Sequence, residues 1–381
     1  MHKMTLFPLG NADCCRIDLE CGKKILFDFA DTRDPEDEND LRCDLTKELR
    51  EDLEACNRDY FDVVAFSHLD KDHFSGATEF FFLEHARKYQ GDERIKMNTM
   101  WVPAALITEQ APDDGEARIL QKEARHRFRE GKGIRVFSRP ERLRRWCAEN
   151  GIKLDDRLGM ITDAGQLVPT FSLSTDKVEF FVHSPFAMRQ DENTVEDRNE
   201  DSLVMQATFE IDGVQTKALL LADSIHEILS DMVNITRSKG NDHRLEWDIA
   251  KLPHHCSYLS IGPEKGKSKT KAVEQVDWLY KEQGQDGAIA VSTSKPIPKA
   301  GTDEDKDDQP PHRQAAEYYK DVAADLNGQF VVTMEHPTPN APKPLVIEIG
   351  RAKGTLKKSV LGAAYIATSQ RAPRAGEANG S

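Results

Sequence analysis

The chain has no long hydrophobic run. Its longest apolar stretches, at 80–83 and 360–367, fall far short of the roughly 18–20 residues that cross a bilayer. The opening Met1-His2-Lys3-Met4 lacks the apolar core and small-residue site of a secretory signal. Cysteine is sparse and odd in number: seven residues at irregular spacing, with Cys14 and Cys15 adjacent. That pattern is no disulfide framework, and it fits reduced thiols in a cytosolic protein that makes no membrane contact. Nor does the chain carry net positive charge. At −14 its surface as a whole repels nucleic acid.

What is present is a polar, mixed chain of 381 residues, long enough for one large α/β domain or two average ones with a real core. Hydrophobic patterning predicts strands over 4–9, 14–19, 23–29 and 61–66, then a strand at 97–108 that runs into a loop. Helices are predicted over 44–57, 76–89, 115–130 and 140–149, with a short strand at 134–138. Further strands follow at 171–173, 178–184, 202–211, 216–222, 249–252, 288–293, 330–333 and 346–349. Helices at 225–235, 272–282 and 314–326 alternate with the later ones. The expectation is one domain over 1–350, with 109–150 a helical, basic insertion and 351–381 a flexible basic tail. Two strand-rich halves, each turning helical, suggest two stacked sheets with helices outside.

Charge is unevenly placed. Residues 28–54 hold twelve acids against four bases, whereas 121–145 hold ten bases against three acids. A local basic tract of that kind suits a polyanionic substrate, with Phe128 or Trp146 as possible stacking residues. Solvated helix faces account for it equally well.

The densest chemistry lies at Ser67-His68-Leu69-Asp70-Lys71-Asp72-His73, directly after the apolar segment 61–66. Imidazole and carboxylate suit zinc, manganese or iron, and ligands at i and i+2 from a strand end can converge. Later strands end on similar residues: His183 after 178–182, Asp223 after 218–222, and His254-His255 after 248–253. Four such strand ends point to a shared site.

These motifs resemble the metallo-β-lactamase superfamily, whose signature is H-x-[HD]-x-D-H followed by His, Asp and His, each after a strand. Within it, the chain is most similar to the hydrolase domain of ComEC-type DNA-internalisation proteins and its free-standing relatives. Gly10-Asn11-Ala12-Asp13-Cys14, Ile25-Leu26-Phe27-Asp28, Asp201-Ser202-Leu203-Val204 and Lys251-Leu252-Pro253-His254-His255-Cys256-Ser257 carry that likeness beside the His68–His73 cluster. It spans about residues 4–336. Cys256, Ala222 and Ala30 stand where relatives have glycine, and none of these changes removes a ligand.

The resemblance implies an αββα sandwich and a centre for two divalent ions, Zn2+ or Mn2+. His68, Asp70 and His183 would hold the first; Asp72, His73 and His255 the second; Asp223 would bridge them. His254 competes with His255 as ligand, His255 being preferred. Asp70 in place of histidine hardens the first position and admits manganese. A water activated by the ions would attack a phosphoester, nucleic acid being the leading substrate. His254 or His312 would protonate the leaving oxygen. Asp28 would either orient a ligand imidazole or serve the fold, and Asp13 could simply stabilise its turn. A small-molecule esterase or lactonase, and a component controlled by a protein partner, are the other readings.

Overall fold

Two β-sheets lie face to face, with helices on both outer sides. The computed structural model describes residues 1–109, 115–187, 198–199 and 201–357. The first seven strands are β1 (His2–Leu6), β2 (Cys15–Asp18), β3 (Lys24–Phe27), β4 (Tyr60–Ala65), β5 (Lys96–Pro103), β6 (Ile134–Phe137) and β7 (Ile161–Thr162). Six more, β8 (Val178–Ser184), β9 (Val204–Ile211), β10 (Val214–Leu220), β11 (Trp247–Lys251), β12 (Gly284–Ser292) and β13 (Gln329–Val332), form the second sheet in the order β13-β12-β11-β10-β9-β8. The last two, β14 (Leu345–Gly350) and β15 (Lys353–Leu356), return to the first sheet, whose order is β15-β14-β1-β2-β3-β4-β5-β6-β7. Pairing is antiparallel at β14-β1-β2-β3 and parallel from β3 to β7. In the second sheet β10 to β13 are parallel.

Parallel neighbours need crossovers, and helices supply them. They are α1 (Leu45–Ala55), α2 (Lys71–Phe74), α3 (Ala77–Phe80), α4 (Ala104–Thr108), α5 (Gly115–Glu130), α6 (Glu141–Glu149), α7 (His226–Ser238), α8 (Glu274–Lys281) and α9 (Arg313–Asp325). Asp44 caps α1, its carboxylate accepting from the Lys47 N–H at 2.9 Å, as the acidic start of that segment leads one to expect. Alternate strand residues fill the layer between sheets: Met4, Ile17 and Phe27 from one side meet Phe180, Phe209 and Val291 from the other. Trp101 sits edge-on to Phe180 at 5.4 Å in the same layer. The outer faces are covered separately, α1, α5 and α6 over the first sheet and α7, α8 and α9 over the second.

Several local expectations are corrected. Of the predicted helix at 76–89 only α3 and a single turn at Arg87–Tyr89 form, because the chain leaves α3 at Phe81, which takes extended backbone. Phe81 instead bridges to Ile95. The end of 97–108 is helical, not a loop. Segment 109–150 is not helical throughout where it is described: it contributes β6, which pairs with both β5 and β7 at one edge of the first sheet. Residues 171–173 form no strand, although Phe171 packs into the inter-sheet layer. The first residues of the expected tail form β15, which pairs with β14, and 358–381, including the apolar run at 360–367, lies outside the described residues. Among the described residues no helix is long and apolar enough to cross a membrane.

Candidate metal centre

The C-terminal ends of β4, β10, β11 and β12 bring the site together. Past β4, Asp70 adopts extended backbone as the N-cap of the one-turn helix α2, and that turn carries His73 fully inward. Past β10, Ala222 takes a left-handed φ of 44° and delivers Asp223. Past β11, three consecutive residues are left-handed: His254 at φ 49°, His255 at 50° and Cys256 at 66°. Each such non-glycine residue costs on the order of 1–2 kcal/mol, so the turn persists only because its surroundings impose it. The His254 N–H donates to the Ala222 carbonyl at 3.1 Å, and His255 Nδ1 is bound to the Thr293 carbonyl at 2.7 Å.

One ligand atom each from Asp13, His73, Asp223 and His255 falls within 4.8 Å of the others, and all four residues are buried. His73 Nε2 lies 3.2 Å from Asp223 Oδ1, and His255 Nε2 lies 3.8 Å from Asp223 Oδ2. The far nitrogens of both rings are held from behind. Asp28 Oδ2 takes His73 Nδ1 at 2.9 Å while Asp28 also accepts from the Ser67 N–H and hydroxyl. Holding Nδ1 leaves Nε2 as the free lone pair, the arrangement of a metal-binding imidazole. His73 Nε2, Asp223 Oδ1 and Asp13 Oδ1 are buried without hydrogen-bond partners. Buried polar atoms are rarely left so, and carboxylate with imidazole is a donor set for a divalent cation. The residues therefore fit such an ion.

Electrostatics agree. Burial alone would lower both imidazole pKa values. Asp223, then Asp28, outweighs it at His73 and raises that ring well above its usual range; Asp223 and Asp72 raise His255 to about 9. Burial likewise opposes ionisation of Asp223, but His73 and His255 hold it well below the usual carboxylate range. Carboxylates in excess are balanced here by protons that a cation would displace.

The other expected ligands divide. Asp72 Oδ2 is 2.9 Å from His255 Nε2, so it belongs to the same group. His68 lies beside His73 with ring centroids 4.0 Å apart and planes tilted by 49°, and its buried Nε2 has no hydrogen bond, lying 3.5 Å from Asp70 Oδ2. Asp70 is shared: while Oδ2 faces His68, its Oδ1 accepts from Arg198 Nη1 at 3.0 Å. His183 does not join. Val178, Phe180 and Val182 face the inter-sheet layer, so strand alternation sends His183 to the opposite, helix-covered face. There its Nε2 is bound to the Arg244 carbonyl at 2.9 Å, its Nδ1 lies 3.4 Å from Thr236 Oγ1, and burial lowers its pKa to about 4.

Of the two candidate acids, His254 has a buried Nδ1 without partner, and burial lowers its pKa. His312 caps α9; its Nδ1 accepts from the Tyr258 N–H at 3.3 Å. Burial, then Lys265, lowers its pKa to about 4. A ring so placed is neutral near pH 7 and presents Nε2–H, which suits a hydrogen-bond donor better than a proton donor.

Two participants escaped the sequence reading. Asp13 is no mere turn residue: its N–H donates to the Asp72 carbonyl at 2.8 Å and its carboxylate pairs with the fully buried Lys251 ammonium. A lysine inside the apolar run 248–252 was the available signal, because a buried ammonium requires a buried carboxylate. Arg198, which also reaches Glu109 Oε1 at 2.5 Å, had none.

The basic tract is partly consumed by the fold. Arg127 is buried on Glu123 and the Met97 and Gly133 carbonyls, Arg135 on Thr162, and Arg125 on the Ile107 carbonyl. Phe128 is wholly buried and Trp146 nearly so, hence neither stacks on a base.

Asp28→Asn tests the orienting role. The variant should fold and bind metal about 10–100-fold more weakly, read by chelator competition; unchanged affinity would make Asp28 purely structural.

No family model matches the chain, and no curated protein does. Among solved structures, the chain is similar to one described as a new diphosphatase from the PhnP family. That alignment covers 94% of this chain and 100% of the other at 9% identity, with a TM-score of 0.34.

Proposed function

We propose that this chain is a divalent-metal-dependent hydrolase of the metallo-β-lactamase type, acting on phosphoesters, with nucleic acid as the leading substrate class. The observation that carries the metal reading is the buried convergence of Asp13, His73, Asp223 and His255 with unpartnered donor atoms facing one another. The layered sheets and the His68–His73 motif support the family type. Zinc or manganese suits the mixed imidazole and carboxylate donors.

His73, His255, Asp223 and Asp72 would hold the ion, with Asp13 beside them. When bound, it supplies Lewis-acid polarisation and lowers the pKa of water. The chain does the rest. Asp28 and the Thr293 carbonyl fix the two rings, Lys251 keeps Asp13 ionised, and His312 offers a neutral N–H to a substrate oxygen. His254, beside the ligand turn, relays a proton to or from bulk water. Exposed Lys122, Arg129, Lys132 and Arg145 would attract a polyanion.

Purified protein loaded with Zn2+ or Mn2+ should turn over a generic phosphodiester, DNA or RNA, lose that activity to a chelator and regain it on metal return. Turnover of carboxylic esters alone would replace this reading with an esterase or lactonase. A loaded but inert protein that gains activity only with a bound protein partner would make it a regulated component.

A further inference from the structure

The two ion positions implied by the sequence are unequally furnished. One has Asp13, His73, Asp223 and His255 converging. The other was to consist of His68, Asp70 and His183. His183 faces the outer side of its sheet with Nε2 on the Arg244 carbonyl. Asp70 Oδ1 holds Arg198 Nη1 at 3.0 Å, and the same guanidinium holds Glu109 Oε1 at 2.5 Å. That leaves His68 Nε2 and the other Asp70 oxygen, Oδ2, 3.5 Å apart, and two donors fall short of the three or four protein ligands of a built metal site.

We propose that the centre takes one divalent ion and that the Arg198 guanidinium occupies the expected first-ion position, supplying the second positive charge to an anionic substrate. The inference rests on the metal-hydrolase reading above and concerns how that site distributes charge. Arginine suits the task because it stays ionised at any working pH and its forked donors match phosphoryl oxygens. Arg198 is also placed for it. It lines one recess with His68, Leu69, Leu106, Glu109 and Asp201, and Asp70 links it to the imidazole that flanks His73, one carboxylate oxygen on each. Its side chain is 30% exposed, leaving one side open to solvent while two carboxylates anchor the other. A guanidinium at this place does for a phosphoryl group what a second ion would do, namely offset charge that builds on its oxygens.

The full-length protein, incubated with excess Zn2+ or Mn2+ and desalted, should retain one equivalent by elemental analysis. His183→Gln should retain one equivalent with the same affinity. Inorganic phosphate, titrated into the loaded protein by calorimetry, should bind about tenfold more weakly to Arg198→Ala, with partial recovery in Arg198→Lys and unchanged metal content. Two equivalents in the wild type, falling to one in His68→Ala or His183→Gln, would overturn the inference and leave the hydrolase reading intact. Equal phosphate affinity in Arg198→Ala would overturn the role of the arginine. Failure of the wild type to retain any metal would instead overturn the hydrolase reading itself.

Discussion

Asp223→Asn should strip the centre of its ion and cut hydrolysis by about a thousandfold, the equivalent of losing roughly 4 kcal/mol of transition-state stabilisation. Asp223 is the carboxylate that both ligand rings share, 3.2 Å from His73 Nε2 and 3.8 Å from His255 Nε2. Asparagine keeps the shape and removes the charge. The loss falls on metal affinity first, because a neutral amide is a far weaker ligand for a divalent ion than a carboxylate. The fold should survive. The buried carboxylate is costly without its cation, and the strand that presents it, β10, is anchored by β9 and β11 on either side. Metal content by elemental analysis and initial rates on a phosphodiester decide the matter, with circular dichroism as the check on folding. A folded Asp223→Asn protein that keeps both its metal and its rate would remove the site from this cluster altogether.

The legible part of this protein is the part governed by local pattern. Helix α5 runs over the residues that its apolar spacing and starting glycine mark out, and α1 begins at its capping Asp44. Asp72, His73, Asp223 and His255 converge because each follows a buried strand whose end is visible as an apolar run meeting a polar residue. His183 fails for a reason that was also legible. Three alternate apolar neighbours one residue out of step, Val178, Phe180 and Val182, point it away from the layer where the other ligand strands meet. Other features depend on contacts that no local pattern encodes. Asp13 finds Lys251 across 238 residues, and β1 pairs with β14 through His2 and Ile349 at opposite ends of the domain. Arg198 lies in a turn without periodicity, so nothing nearby announces that it will reach Asp70 and Glu109. Composition misled at 121–145 for a related reason. A count of arginines does not separate those spent on carbonyls inside the fold, such as Arg127 and Arg135, from those facing solvent.

Glu123→Ala, far from the metal centre, should cost about 3–5 kcal/mol of stability, a fall in Tm of about 4–6 °C for a chain of this length. Glu123 is fully buried in α5, and its carboxylate accepts four hydrogen bonds: from the Glu84 and His85 N–H groups, from His85 Nδ1 at 2.8 Å and from Arg127 Nε at 2.6 Å. Truncation leaves the buried Arg127 guanidinium with only carbonyl partners and the more distant Glu84, 3.7 Å away. The same pairing makes stability depend on pH with a definite sign. Burial raises the Glu123 carboxyl, but the His85 hydrogen bond and the Arg127 charge outweigh it and hold the pKa at about 2, against 4.5 for the free side chain. A depressed folded pKa favours the folded state wherever the unfolded chain ionises too. The contribution is therefore complete above about pH 4.5 and drains away as pH falls towards 2, to a total of about 3 kcal/mol. Denaturant melts at pH 7 and pH 3 should show the wild type losing part of its margin over Glu123→Ala at the lower pH. A gap that stays constant between the two pH values would mean that Glu123 stabilises the fold by packing and not by its charge.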